Sequence, residues 1–343
     1  MNLLLDISHP AYAHALQPFM HEMKKRGHTV LITARNKDLT QPLLTSWGFS
    51  FISKGKGYHS LPGKLWHTIK WLIRFLPEAR NFNPDMVISF SSWQAAILGR
   101  LLKKEVITLE DTEHVSMLHR INRIFSTYIL TPFCFEQHLG KKHIRFAGYK
   151  ELASLHPNRF TPDQKYQHEK PYILLRFVSW QAWHDRGHAG MSDTMKGKVI
   201  RELSAFGSIY ISSELPLPEK WKRYALPFPA EHIHSFMAGA QLIFGESASM
   251  AAEAAVLGIP AIFIDNTGRG YTRELEQRYD LLYNFGEADE QVEAALQKAK
   301  ALLKTPDLLN EWQHKRHRML QENIDVTQFL VDFVENRFTA QKQ

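Results

Sequence analysis

Leu242-Ile243-Phe244-Gly245-Glu246-Ser247-Ala248-Ser249-Met250-Ala251-Ala252-Glu253-Ala254-Ala255-Val256-Leu257-Gly258-Ile259-Pro260 is the stretch whose reading decides the fold. A short apolar run, Leu242–Phe244, meets a turn of small residues. A helix-forming run of Ala, Met, Val and Leu follows and stops at Gly258 before Pro260. That is a buried strand, a tight turn and a helix with a glycine end. The turn puts serine hydroxyls and unpaired backbone N–H groups at a helix N-terminus, an arrangement suited to a phosphate. Glu253 lies one turn further in, on the face of Ser249, where a carboxylate accepts hydrogen bonds from a ribose diol. Ser249 as a plain N-cap explains the same serine without any ligand.

The alternation of strand and helix extends outward from this unit. Tyr172–Arg176, Ser208–Ser212 and Ala261–Ile264 read as companion strands, with helices over residues 194–205, 250–257 and 291–303. Residues 306–338 read as one C-terminal helix crossing back to the first half. Upstream, residues 151–171 break the pattern with His156-Pro157-Asn158 and Thr161-Pro162-Asp163, as a linker does. Before the linker, apolar runs at Asn2–Ile7, Thr29–Thr33, Phe49–Ile52, Met86–Phe90, Val106–Leu109 and Tyr128–Thr131 alternate with helical segments over 16–26, 64–80 and 93–102. Strands this continuously apolar belong to parallel sheets covered on both faces. The fold class is therefore α/β, with two Rossmann-like doubly wound domains, residues 1–150 and 172–305, facing a central cleft. Ligands of such sheets bind beyond the carboxyl ends of the strands, so the residues after each strand carry the function.

Composition narrows the partners. The 343 residues suffice for two cores, and 44% hydrophobic with 22% charged residues is globular. The single cysteine, Cys134, excludes an internal disulfide and a cysteine-rich zinc site, and fits a reducing, cytoplasmic compartment. The first residues lack the basic region of a signal peptide, and no run approaches the roughly 20 apolar residues of a membrane span. A net charge of +7 points to an anionic partner. With no zinc finger, RNP motif or basic tail, nucleic acid ranks behind a phosphorylated ligand or an acidic lipid. Within Lys64–Leu76 the cations Lys64, His67, Lys70 and Arg74 share a helix with two Trp and several aliphatic residues. This composition suits peripheral contact with an anionic membrane at its inner face, or a crossover helix with a solvated basic side.

Other strand exits supply candidates. Arg176 ends its strand where a guanidinium would meet a pyrophosphate, or form a surface salt bridge. Glu214 and Arg269 follow the next exits, and Ser179-Trp180-Gln181-Ala182-Trp183-His184-Asp185 is unusually aromatic, with His184 a candidate sugar or acceptor contact. In the first half, Asp6-Ile7-Ser8-His9-Pro10 contains no G-x-G-x-x-G, which argues against a dinucleotide dehydrogenase. It offers His9 and His14 as imidazoles near a helix start. The fifth strand exits into Glu110-Asp111-Thr112-Glu113-His114, three carboxylates at one strand end that are either used or form an acidic helix start. No ligand spacing for a metal emerges.

These segments, with Gly148-Tyr149-Lys150-Glu151-Leu152, Leu174-Leu175-Arg176-Phe177-Val178-Ser179-Trp180, Gly245-Glu246-Ser247 and Gly268-Arg269-Gly270-Tyr271, resemble a bacterial and archaeal family known as a domain of unknown function. That family is related to GT-B glycosyltransferases and UDP-N-acetylglucosamine 2-epimerases. The resemblance spans nearly the whole chain. It implies a GT-B fold in which Ser247, Ser249 and Glu253 hold phosphate and ribose and Ile233 lies against the base, with Glu246 of the same turn a further nucleotide-sugar candidate. It also implies an epimerase-like acidic position at Glu110, and a counterpart of an Asn-Arg segment at Asn122-Arg123. Ser91 or Ser92 replaces the epimerases' catalytic Asp, which argues against epimerase chemistry. His14, four residues before Pro18, resembles the loop histidine of the lipid-linked N-acetylglucosaminyltransferase of cell-wall synthesis, which implies a transferase with His14 as base; Glu110 and Asp111 are the further catalytic candidates. No cofactor or metal is implied, the nucleotide sugar being the substrate. The resulting expectation is sugar transfer from a UDP-sugar to a saccharide or lipid-linked acceptor in surface polysaccharide or glycolipid synthesis. The alternatives are a 2-epimerase and a non-catalytic nucleotide-sugar-binding protein.

Overall fold

A computed structural model describes residues 1–55, 61–168, 170–179 and 190–341. It divides into two compact units. Unit 1 is Met1–Ser154 with Ile324–Gln343, and unit 2 is Leu155–Asn323.

Unit 1 carries a parallel sheet of seven strands. In chain order its elements are β1 (Asn2–Ile7), α1 (Pro10–Lys25), β2 (Thr29–Ala34), α2 (Thr40–Ser46), β3 (Ile52–Ser53), α3 (Leu61–Phe82), β4 (Met86–Phe90), α4 (Trp93–Leu101), β5 (Glu105–Leu109), α5 (Ser116–Phe125), β6 (Tyr128–Pro132) and β7 (His143–Phe146). A short helix, α6 (Leu152–Leu155), follows. The strand order β3-β2-β1-β4-β5-β6-β7 places β1 and β4 side by side at the point where the winding reverses. Crossovers in the two directions lie on opposite faces. α3, α4 and α5 therefore form one layer, and α4 touches both its neighbours. The sheet is buried on both sides because its strands are apolar throughout: Leu3, Leu4, Leu5, Val87, Ile88 and Ile107 are fully enclosed.

Unit 2 repeats the plan with five parallel strands in the order β12-β11-β10-β8-β9. Its elements are β8 (Tyr172–Phe177), α7 (Asp193–Leu203), β9 (Ser208–Ser213), α8 (Ile233–Met237), β10 (Leu242–Gly245), α9 (Ala248–Leu257), β11 (Ala261–Ile264), α10 (Gly270–Gln277), β12 (Leu282–Phe285), α11 (Asp289–Leu303) and α12 (Leu308–Glu322). α9 is buried almost all round, as its alanine-rich sequence requires. It ends at Gly258, whose φ of 77° is a left-handed cap that glycine adopts without steric cost.

The structure departs from the sequence reading in four places, the first being that α1 starts at Pro10 and not at residue 16, so that His14 lies within the helix. Residues 306–338 are not one helix: α12 ends at Glu322, Asn323 is extended, and α13 (Val326–Gln341) belongs to unit 1 against α1, with Arg26 bridging Glu335 at 2.9 Å. The strand placed at Phe49–Ile52 is Ile52–Ser53, because Trp47 and Phe49 close a turn after α2 instead. The sheets also gain β7 and β12, edge strands with one neighbour each and only partly buried, so that neither shows a continuous apolar run. Among the described residues no helix is long and apolar enough to cross a membrane.

Candidate functional site

In unit 2 the exits of β9, β8, β10 and β11 stand in a row at one carboxyl edge, since Arg176 is in register with Ser212 on one side and with Gly245 on the other. Gly245 is required by this approach. A methyl group placed on it would overlap the carbonyl oxygen of Arg176 and lie 2.7 Å from its amide nitrogen. Gly245→Ala therefore has to push β10 from β8, and the expected loss is about 1–3 kcal/mol. At about 2–4 °C per kcal/mol this is a readable fall in Tm, and an unchanged Tm would refute the close approach.

The serine turn resolves into two roles. Ser247 is the N-cap of α9, its Oγ accepting the Met250 N–H at 3.3 Å. Ser249 is not the cap; it stands in the first turn, half-buried. Glu246 is buried and accepts from the N–H groups of Val178 (2.8 Å) and Met191 (2.6 Å), so it clamps the chain on either side of the segment leaving β8. Glu253 is buried against His234, with 3.3 Å between Oε1 and Nε2. His234 is the second residue of α8, and Ile233, half-buried, is the first.

Two arginines flank the turn. Arg176 donates from Nη1 to Ser212 Oγ and from Nη2 to Glu214 Oε1, each at 2.9 Å, while its buried Nε has no hydrogen-bond partner among the described residues. Glu214 also accepts from Ser179 N–H (3.1 Å) and Oγ (2.9 Å). Arg269 is the N-cap residue of α10 and reaches back to Thr267 Oγ1 at 2.7 Å and Asp265 at 3.4 Å. His184 lies outside the described residues.

Unit 1 gathers a second set of groups around the β1, β4 and β5 exits. Asp6, buried at the end of β1, pairs with Lys54 at 2.8 Å and accepts from Thr33 (2.6 Å) and Ser92. Burial holds the Lys54 ammonium below its ordinary pKa, with Asp6 opposing that shift. Asp111 pairs with Lys150 at 2.6 Å, and Lys150 with Glu151 at 2.8 Å, all three buried.

Glu110 differs from both. It is 1% exposed, accepts from Asn122 Nδ2 at 2.6 Å and from Ser91, and has no cation among these partners. Ser91 itself adopts φ +48°, a region few non-glycine residues enter. Burial pushes the Glu110 carboxyl up to about 8, with Asp111 adding to the shift and the two hydrogen bonds opposing it. His119 lies 3.8 Å away, an ion-pair distance, but burial holds its imidazole below the ordinary value. Both shifts disfavour the charged forms, so burial works against an ion pair at this contact. Glu113 is buried as well.

The histidines separate. His9 is the N-cap of α1 directly beyond β1, its Nδ1 accepting the Ala11 N–H at 3.2 Å. His14 lies inside α1, with its ring edge-on to Trp47 at 5.0 Å, on the side of α2. Of the two, His9 occupies the carboxyl edge of the sheet. Sequence reasoning missed Lys54, Lys150 and His234. Each is defined by a partner distant in sequence that the fold brings to it, Asp6, Asp111 and Glu253 respectively, although Lys150 also pairs with the adjacent Glu151. Among the described residues no cluster of three or more His, Cys, Asp or Glu side chains is gathered as for a metal ion.

No family model and no curated protein matches the sequence. Solved structures do. The S. aureus MnaA–UDP co-structure is similar at a TM-score of 0.67 and 12% identity, over 98% of this chain and 97% of that one. UDP-GlcNAc 2-epimerase from Neisseria meningitidis bound to UDP-GlcNAc gives 0.66 and 14%, over 98% and 100%. The Streptomyces sp. SF2575 glycosyltransferase SsfS6, complexed with thymidine diphosphate, gives 0.64 and 13%, over 98% and 99%. At such identities the likeness is one of fold. The chain has the GT-B-type α/β fold that these epimerases and glycosyltransferases share.

Proposed function

We propose that the protein is a glycosyltransferase that uses a nucleotide sugar, with a UDP-linked donor held by unit 2 and a saccharide or lipid-linked acceptor activated from unit 1. One observation carries the donor site. Arg176, the Ser247–Ser249 turn at the start of α9 and Arg269 come from three adjacent strand exits of one sheet edge. A diphosphate bound there meets helix amides, the positive end of a helix dipole and guanidinium donors, which together neutralise a leaving group without further help. The nucleotide diphosphates held by solved proteins of this fold support the reading. Transfer is favoured over epimerisation because all three carboxylates after β5 are buried. These are the groups to which an epimerase-like role at a sugar C2 was assigned, and their burial counts against it, whereas the β1 exit presents His9 as a base for an acceptor hydroxyl. Surface polysaccharide or glycolipid synthesis is the setting such an acceptor implies. A panel of nucleotide sugars with product identification by mass spectrometry and NMR tests the reaction. Free sugar epimerised at C2 would replace the transferase reading.

Arg176→Ala should weaken UDP binding by about 1.5–3 kcal/mol, the scale of a charge-assisted hydrogen bond. Glu214→Ala is the companion variant. It releases Arg176 from its carboxylate, so affinity should hold or rise. Equal UDP affinity in wild type and Arg176→Ala, measured by calorimetry, would remove Arg176 from the site.

A further inference from the structure

The outer side of α3 is apolar where a crossover helix has no reason to be. Its inner face is accounted for: Thr68, Trp71, Phe75 and Ala79 are buried, and Trp71, Phe75 and Ala79 pack in the core with Leu4, Val87 and Val106. The opposite face exposes Trp66 (57%), Ile69 (41%) and Ile73 (70%). At about 100° per residue these three fall within about 60° of one another, a single stripe pointing away from the sheet. Lys70 and Arg74 run along its flank, both exposed, and the Lys70 ammonium lies 5.1 Å from the centre of the Trp66 ring.

The neighbouring helices continue the pattern. Of the eleven large apolar side chains exposed among the described residues, six lie on α3, α4 and α5: the three above with Leu101, Met117 and Ile124. In sequence these three helices hold seven cations (Lys64, Lys70, Arg74, Arg80, Arg100, Arg120 and Arg123) and one acid, Glu78. A protein of 42 basic and 35 acidic residues has no such imbalance overall. A helix layer that is solvated only for solubility mixes charges of both signs and keeps Trp and Ile inside.

We infer that the α3–α5 layer of unit 1 is a docking surface for an anionic lipid bilayer, with Trp66, Ile69 and Ile73 entering the headgroup region and Lys70 and Arg74 meeting lipid phosphates. Charge complementarity selects this occupant. Cations interleaved with Trp and aliphatic side chains along one helix face match an interface that is negative above and apolar beneath. The inference is independent of the nucleotide-sugar reading, because binding to vesicles needs neither donor nor acceptor.

Flotation of the full chain with phosphatidylcholine vesicles, with and without phosphatidylglycerol, tests it. Recovery with the anionic vesicles should exceed that with neutral ones by about tenfold or more and fall as salt is raised. Ile73→Glu, and separately Lys70→Glu with Arg74→Glu, should reduce recovery to the neutral level, since all three side chains are exposed and carry no part of the core. Lys222→Glu, on the surface of unit 2, should leave it unchanged. No recovery with either vesicle, equal recovery with both, or Ile73→Glu abolishing a concentration-dependent dimer instead of vesicle binding would each overturn the inference.

Discussion

Replacing Glu110 with Gln is expected to make the protein more stable relative to wild type as pH rises, by about 4 kcal/mol between pH 5 and pH 8. The carboxyl titrates near 8 in the folded chain, against an ordinary value of 4.5. A group whose folded pKa is raised contributes its full stability below the unfolded value. That contribution is lost as pH climbs through the folded one, at about 1.4 kcal/mol per pH unit. Between those limits the unfolded chain has released a proton that the folded chain still holds. Gln keeps the shape and the acceptor for Asn122 Nδ2 but has nothing to release, so its own curve lacks this slope. Denaturant unfolding of both proteins at several pH values reads the difference directly, and other titrating groups cancel in the comparison. Parallel curves for the two proteins would mean that Glu110 is ionised in the fold and that its pocket is not the neutral one described.

The neutral pocket shows where the sequence was readable and where it was not. The central strands β1, β4, β8, β10 and β11 were legible because burial on both faces demands unbroken apolar runs, and their exits followed from that. The Gly245-Glu246-Ser247 turn was legible for the same reason, including its place at a helix start. Which serine caps the helix was not, because a shift of two residues changes no composition. The edge strands β7 and β12 escaped because one-sided pairing leaves them half-buried and mixed in character.

The acidic run after β5 was visible, but its meaning was not. Glu110 and Asp111 are adjacent in sequence, yet Asp111 finds Lys150 while Glu110 finds a serine and an asparagine. Asp111 has an ammonium partner, whereas burial raises the pKa of Glu110. Nothing local distinguishes them, since the deciding partners lie 39, 19 and 12 residues away and are brought in by strand order. The Asp6–Lys54 pair, 48 residues apart, has the same origin.

The histidines put that limit to a kinetic test. His9→Asn should lower the rate of sugar transfer by about 10²–10⁴, the contribution of a positioned base that takes the acceptor's proton. Asn is chosen because it caps a helix as well as any residue, so the first turn of α1 survives and the lost rate belongs to the imidazole. With Nδ1 accepting the Ala11 N–H, the neutral ring carries its proton on Nε2. For Nε2 to act as a base the proton must move to Nδ1 and the cap bond must be given up. That costs about 1 kcal/mol, or roughly fivefold in rate, small beside the gain. UDP affinity should not change, since the donor residues belong to unit 2. His14→Ala is the comparator. It removes a ring packed on Trp47, which should cost about 0.5–1.5 kcal/mol of stability and little rate. Loss of turnover in His14→Ala with retention in His9→Asn would return the base to the position that sequence resemblance alone suggests. Uptake of solvent deuterium at C2 of a UDP-sugar without acceptor would displace both and identify an epimerase.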